Sequence, residues 1–183
     1  SLTYDPSRTA TYEAINIARN SGAVISYDPN YRAALWSDPE TAQLRMQSLI
    51  PYVDMMKISD EETSLLTPYQ DPEEAIQYLL RQGVHLVAVT LGRDGALIGN
   101  ENGIVKAEGF SSHAVDTTGA GDSFWGGFLA SYLQEETSPD PLTRAQMIQF
   151  GRVGNAVASL CVERRGGISA IPEMEEIEER LRG

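Results

Sequence analysis

The stretch of this chain best equipped for chemistry is Asp116-Thr117-Thr118-Gly119-Ala120-Gly121-Asp122, which runs straight into Ser123-Phe124-Trp125-Gly126-Gly127-Phe128-Leu129-Ala130. It reads as a glycine-rich turn opening a helix, with a carboxylate in the helix's first turn. Gly119 and Gly121 carry no side chain, so the backbone amides of Gly119, Ala120 and Gly121 can approach a bound group closely. The first N–H groups of a helix lack partners inside it and sit at the positive end of its dipole. Such donors suit a phosphate or a developing oxyanion. Asp122, beside them, is placed to take a proton from a hydroxyl. The plain alternative is a capped helix start, where Asp is also favoured. Gly126 and Gly127 lie inside the helix, where each costs roughly 1 kcal/mol relative to Ala, and so predict close packing. The turn is neither of the two familiar phosphate loops. It lacks the Lys-Ser/Thr of a P-loop, and Phe124 stands where GxGxxG places its third glycine.

The elements that must position this turn follow from hydrophobic periodicity and breakers. A helix is predicted over 8–19, with Ala10, Ala14, Ile15, Ile17 and Ala18 on its apolar face, and a buried strand over 23–27. A second helix starts at Pro39 and is ended by Pro51; a strand over 53–58 and a short helix over 60–66 follow. Residues 72–82 read as a helix closed by Gly83, and 84–91 as the most strand-like run in the chain. Residues 96–99 and 104–107 read as a hairpin. Long helices over 120–134 and 141–162 precede an acidic terminal helix from Pro172. Strand alternating with helix implies parallel βαβ units, hence a doubly wound α/β domain over 1–183, with a mostly parallel sheet and helices on both faces. Ligands of such sheets bind at strand carboxyl ends. Residues 28–32, 59–62 and 92–95 all fall at such ends, and the Gly119 turn is expected on the same rim.

Twenty-six acids against 14 bases, a formal net charge of −12, exclude a nucleic-acid surface. Cys161 stands alone and forms no internal disulfide, which fits a reducing compartment. No apolar run approaches the ~20 residues of a membrane span, and the first residues lack the basic and apolar regions of a signal peptide. A cytoplasmic protein with no membrane partner is expected. His85 and His113 show no metal-ligand spacing.

The motifs together, in this order, resemble the PfkB (ribokinase-like) carbohydrate kinases. The Gly119 turn is similar to that family's second signature. Tyr27-Asp28-Pro29-Asn30-Tyr31-Arg32 with Leu35-Trp36 resembles the DPNxR…LW segment of fructokinases. Lys57-Ile58-Ser59-Asp60-Glu61-Glu62 resembles the segment where many relatives read N-x-x-E, with Ser59 in place of Asn. Thr90-Leu91-Gly92-Arg93-Asp94-Gly95 is similar to the T-x-G-x-x-G nucleotide loop, and Arg165-Gly166-Gly167-Ile168 to an RGAI-like closing loop. The resemblance implies a C-terminal portion of the fold, with the first strands and the small β lid absent from this chain.

The resemblance also implies roles. Asp122 becomes the base for a primary sugar hydroxyl attacking the γ-phosphate of ATP, and the amides of Gly119, Ala120 and Gly121 hold the transferred phosphate. Arg32 pairs with that phosphate through its planar fork of donors, with Asn30 near the metal-bound waters. Glu62 helps to hold Mg2+ through water. Ser59, Thr90, Gly92, Gly95, Gly121 and Asn155 line the nucleotide. Asp116, Thr118 and Gly166, with Cys161, Arg164 and Ala170, match positions where relatives hold a monovalent cation such as K+. Ordinary readings stand beside these: a solvated Arg32 on a plain turn, Glu62 as an exposed helix residue, Gly92 and Gly95 as a strand-to-hairpin turn, Asn155 as buried polar packing. The implied activity is ATP-dependent phosphorylation of fructose to fructose 6-phosphate. Ribose or 2-keto-3-deoxygluconate is the alternative acceptor; this chain by itself is expected to be inactive, with an inactive nucleotide-binding module as the alternative reading of it. The intact enzyme is expected to be a homodimer and this chain to self-associate.

Overall fold

The computed structural model describes residues 2–135 and 141–183. The chain divides into two compact units, Ser1–Ala88 and Val89–Gly183, with the division falling inside a strand.

In the first unit, α1 (Ser7–Asn20) precedes β1 (Ser26–Tyr27), α2 (Pro39–Gln47), β2 (Met55–Ser59), α3 (Thr63–Leu66), α4 (Pro72–Arg81) and the start of β3 (Leu86–Thr90). The helix starts follow local chemistry. Asp38 and Asp71 cap α2 and α4 by accepting the Thr41 and Glu74 amides, each with Pro in the first turn. The strand order is β1-β2-β3. β1 runs parallel to β2, Ser26 opposite Met55 and Tyr27 opposite Met56. Met56, Ile58, Leu66, Ile76 and Leu79 are fully buried and form the core here.

The strand expected over 23–27 shrinks to two residues. The Ala23 amide turns back to the Ala18 carbonyl (3.0 Å), and the Ile25 amide donates to Asp54 Oδ2 (2.8 Å). Ala23 and Val24 are left exposed. The helix end and an aspartate claim the donors that a longer ladder needs. Likewise α2 stops at Gln47, and a 3-10 turn over Ile50–Tyr52 takes up Pro51.

In the second unit, the end of β3 leads to β4 (Ala96–Asn100), β5 (Gly103–Ala107), α5 (Ala120–Gln134), α6 (Arg144–Cys161) and α7 (Met174–Arg182). Strand order is β3-β4-β5, and β4 and β5 form the expected antiparallel hairpin, in register from Ala96 opposite Ala107 to Asn100 opposite Gly103. The sheet is thus mixed and parallel-dominant, with helices, as strand–helix alternation predicts.

α6 begins at Arg144 and not at 141. Thr143 and Gln146 form a reciprocal capping box, while buried Leu142 offers its carbonyl to Asn100 Nδ2 (2.7 Å) and Asn102 Nδ2 (3.0 Å). α5 packs on α6 through Phe124, Phe128 and Phe150, all nearly fully buried. Of Gly126 and Gly127, only Gly127 is explained by close approach. A Cβ there would lie 2.8 Å from Val157 Cγ2 and 3.2 Å from Gly154 Cα, whereas Gly126 faces open space. Among the described residues, no helix is long and apolar enough to cross a membrane.

Candidate functional site

Two clusters carry the predicted residues, one in each unit. In the first unit, the irregular segment 28–32 leaves the carboxyl end of β1 and is tied down twice. Lys57, buried on β2, reaches Asp28 Oδ2 at 3.1 Å. Glu62 Oε1 accepts the Tyr31 amide at 2.7 Å. The other oxygen of Glu62 accepts the Ser59 amide (2.9 Å) and hydroxyl (3.1 Å), which makes Ser59 and Glu62 a capping box for the turn after β2.

Glu62 is only 8% exposed, so the reading of it as an exposed helix residue is set aside. Its carboxylate satisfies three protein donors, a role that the sequence reading missed although S-x-x-E is a legible capping signal. Asn30 stands between the two ties with a left-handed φ of 50° and is exposed, as is Arg32. Asn is among the few residues that adopt such a φ readily. The Arg32 guanidinium bonds only its neighbour's carbonyl among the described contacts, Tyr31 O at 3.2 Å. Asp28, Asn30, Arg32, Leu35, Trp36 and Met46 help to line a cavity of about 330 Å3. Burial, with Glu62 and Asp28 close by, pushes the Tyr27 hydroxyl's pKa well above its usual value.

In the second unit, Gly119 takes a left-handed φ of 80° as the residue before α5. The notch is tight: a Cβ on Gly119 would lie 3.1 Å from Gly167 Cα. Asp116 braces it from both sides, Oδ1 accepting the Thr118 amide (2.9 Å) and Oδ2 the Gly166 amide (3.0 Å). Donation from Gly166, then from Thr118, lowers the Asp116 pKa to about 2. Cys161, buried on α6, points its thiol at the Thr118 carbonyl 4.0 Å away.

Of the three amides expected to receive a phosphate, that of Ala120 donates to the Thr117 carbonyl at 3.2 Å. Those of Gly119 and Gly121 have no acceptor among the described residues. Asp122 is exposed in the first turn of α5.

The nucleotide candidates are placed less uniformly. Thr90 ends β3 half-buried, and Gly92 (φ 58°) starts an exposed 3-10 turn. Gly95 (φ 93°) is buried against the Ala107 carbonyl, where no side chain fits. Asn155 is 6% exposed, and its Nδ2 donates to the carbonyls of Ala107 (2.9 Å) and Glu108 (3.1 Å), tying α6 to the end of β5. Among the described residues no three His, Cys, Asp or Glu side chains gather as a metal cage.

Comparison with known proteins shows which family and fold the chain shares. Residues 1–174 match the model of the pfkB family carbohydrate kinases. A relative named fructokinase-1, from Zea mays, is 34% identical over 97% of this chain, which covers 54% of that protein. Among solved structures, the fructokinase from Vibrio cholerae O395 with fructose, ADP and a calcium ion superposes with a TM-score of 0.89 at 32% identity, over 98% of this chain and 57% of its own. A double-mutant form of it, with fructose, ADP and a potassium ion, gives 0.88. The aminoimidazole riboside kinase from Salmonella enterica, with aminoimidazole riboside and an ATP analogue, gives 0.86 at 26% identity, over all of this chain and 60% of its own. The chain therefore spans little more than half the length of these relatives, and its fold is ribokinase-like.

Proposed function

The chain belongs to the pfkB family of carbohydrate kinases, and from that premise we propose that it carries the base and phosphate site of an ATP-dependent kinase acting on a primary sugar hydroxyl. The observation that carries the reading is the Asp116–Asp122 turn. It holds a left-handed glycine, two amides with no acceptor among the described residues and an exposed carboxylate in one helix start. In the proposed reaction the sugar oxygen bonds to the γ-phosphorus while the bond to the β-phosphate oxygen breaks, releasing ADP. Asp122 takes the hydroxyl proton. Phosphoryl transfer needs positioning and charge neutralisation more than covalent help from the protein. The Gly119 and Gly121 amides serve that purpose, with Ala120 joining only if its bond to Thr117 opens. Arg32 adds a guanidinium fork, and Asn30 lies beside it in sequence.

Thr90, Gly92, Gly95 and Ser59 are assigned to the nucleotide. Asn155 is assigned there through its carbonyl oxygen, since its amide nitrogen is committed to the hairpin. Glu62 would reach a Mg2+ ion through water, and that ion, carried on the nucleotide phosphates, would supply charge neutralisation. A monovalent cation beside Asp116, Thr118 and Gly166 is supported by the potassium in the Vibrio structure. Fructose is the proposed acceptor, supported by relatives named fructokinase; the Salmonella riboside kinase keeps a pentose acceptor in view. A cytoplasmic homodimer is proposed for the intact enzyme.

The test is a panel of fructose, ribose and 2-keto-3-deoxygluconate with MgATP, run on the intact enzyme and its Asp122→Asn variant. Fructose turnover is expected, with kcat falling about 10²–10⁴-fold in the variant and ATP affinity held within a few-fold. Turnover of another sugar alone sinks the fructose assignment, and a variant within tenfold of wild type returns Asp122 to helix capping. The chain spans little more than half of its relatives, which favours one second reading. Calorimetric ATP binding without turnover of any sugar identifies a nucleotide-binding module.

A further inference from the structure

Lys57 and Glu62 are both buried, and the protein contacts of each go to the segment beside them, whatever Glu62 does toward a metal ion through water. Each spends its charge on the segment that carries Asn30 and Arg32. That segment, residues 28–32, has no regular secondary structure. An irregular segment with an exposed cation at its tip and a left-handed residue inside it is held in one conformation only by specific ties. The ties are two. Lys57 Nζ lies 3.1 Å from Asp28 Oδ2, with side-chain exposures of 7% and 16%. Glu62 Oε1 takes the Tyr31 amide at 2.7 Å. They bracket the left-handed Asn30 from either side, and both originate on β2 or the turn that follows it. Glu62 is itself fixed, because its second oxygen holds the Ser59 amide and hydroxyl.

We infer that Lys57 and Glu62 are positioning residues that clamp the Asn30–Arg32 loop so that the Arg32 guanidinium is presented to a phosphate. The inference rests on the phosphate role proposed for Arg32. Glu62 then acts through the Tyr31 amide and the backbone it fixes, and contact with the ion is secondary. A hydrogen bond from an amide to a buried carboxylate is among the stronger ones in a protein. Removing that acceptor leaves a donor in need of water and a loop free to leave its left-handed conformer.

The test is amide hydrogen exchange by NMR on this chain, with a MgATP titration followed at the Arg32 amide, in wild type, Glu62→Ala, Glu62→Gln and Lys57→Met. In the wild type, the Tyr31 amide is expected to exchange about tenfold or more slowly than that of Arg32, although neither lies in a helix or strand. In Glu62→Ala, the Tyr31 amide should exchange about 10–100-fold faster, the span for losing a bond to a charged acceptor, while Met56 and Ile58 in β2 keep their protection. Glu62→Gln has one carbonyl oxygen where two were used, so at least one of the Tyr31 and Ser59 amides should lose protection. It also serves if the Ala variant fails to fold. Lys57→Met should leave the Tyr31 amide protected but weaken the Arg32 response, because it frees the other end. In all three variants the MgATP concentration for half-response at Arg32 should rise about fivefold or more. An unprotected Tyr31 amide in wild type, or an Arg32 response unchanged when Tyr31 loses protection, overturns the clamp. A wild-type Arg32 amide that ignores MgATP overturns the phosphate role, and Tyr31 exchange still decides whether the ties exist.

Discussion

The two units cover their apolar surface very differently. In the unit Val89–Gly183, α5 and α6 bury Phe124, Phe128 and Phe150 against one another, with Trp125 stacked on Phe128 at 5.1 Å and Phe150 edge-on at 5.8 Å. In the unit Ser1–Ala88, the fourteen residues of α1 bury one side chain, Ile15, while Ile17 is 70% exposed and Val24 just beyond it 59%. Both segments have the composition of core-facing elements. The difference teaches that an amphipathic pattern makes a helix, but only a partner surface makes it a structural support. α5 and α6 have each other. α1 presents an apolar face to solvent, next to a strand of two residues.

Deleting the ring at the centre of the covered region should have the largest effect. Phe128 is fully buried and touches Trp125, Phe124 and Phe150. Phe128→Ala is expected to cost about 3–5 kcal/mol, the transfer term plus a cavity between two helices with little room to collapse. Urea unfolding measures it. A loss under about 1 kcal/mol would place the chain's cooperative core elsewhere and erase the contrast between the units.

The second prediction concerns the brace at the functional turn. Asp116 is half-exposed, yet its carboxylate holds two amides and its pKa falls from the usual 3.8 to about 2. A carboxyl depressed on folding stabilises the folded state above its unfolded pKa and loses that contribution as pH falls through the folded one. Wild type should therefore exceed Asp116→Asn in urea midpoint by a constant margin above about pH 5, and the margin should close between about pH 4 and pH 2. A margin independent of pH would assign the effect to packing and not to the two amide bonds.

Much of this was legible because short-range rules wrote it. The start of α5 at Ala120 follows from Gly119 alone, whose φ of 80° suits glycine. The β4–β5 hairpin follows from apolar alternation broken at 100–103. The candidate residues at strand ends follow from the alternation of strands and helices. What escaped depends on competition between donors. The strand at 23–27 lost its first residues because Ala18 and Asp54 took the amides of Ala23 and Ile25. The first turn expected of α6 was lost to the Leu142 carbonyl's bonds with two asparagines. The burial of Glu62 and its tie to Tyr31 span 31 residues, beyond the reach of any local pattern. Only the Ser59–Glu62 half of that arrangement was written in adjacent sequence.

The smallest effect on stability should come from the uncovered helix, and it sharpens the comparison most. Ile17 is 70% exposed, so Ile17→Ser should change the unfolding free energy measured in urea by no more than about 0.5 kcal/mol, as surface substitutions do. The same substitution should act strongly on association. Tyr4, Ile17 and Val24 are exposed in the stretch of chain that precedes β1, and β1 is an edge strand of only two residues among those described. Edge backbone groups and exposed apolar side chains together favour pairing with another copy. Light scattering across a concentration series should therefore show wild type self-associating and Ile17→Ser doing so less, at equal folded stability. A wild-type chain that stays monomeric at every concentration would show that the α1 face is tolerated in water as it stands. The two units would then differ in packing but not in their readiness to meet a partner.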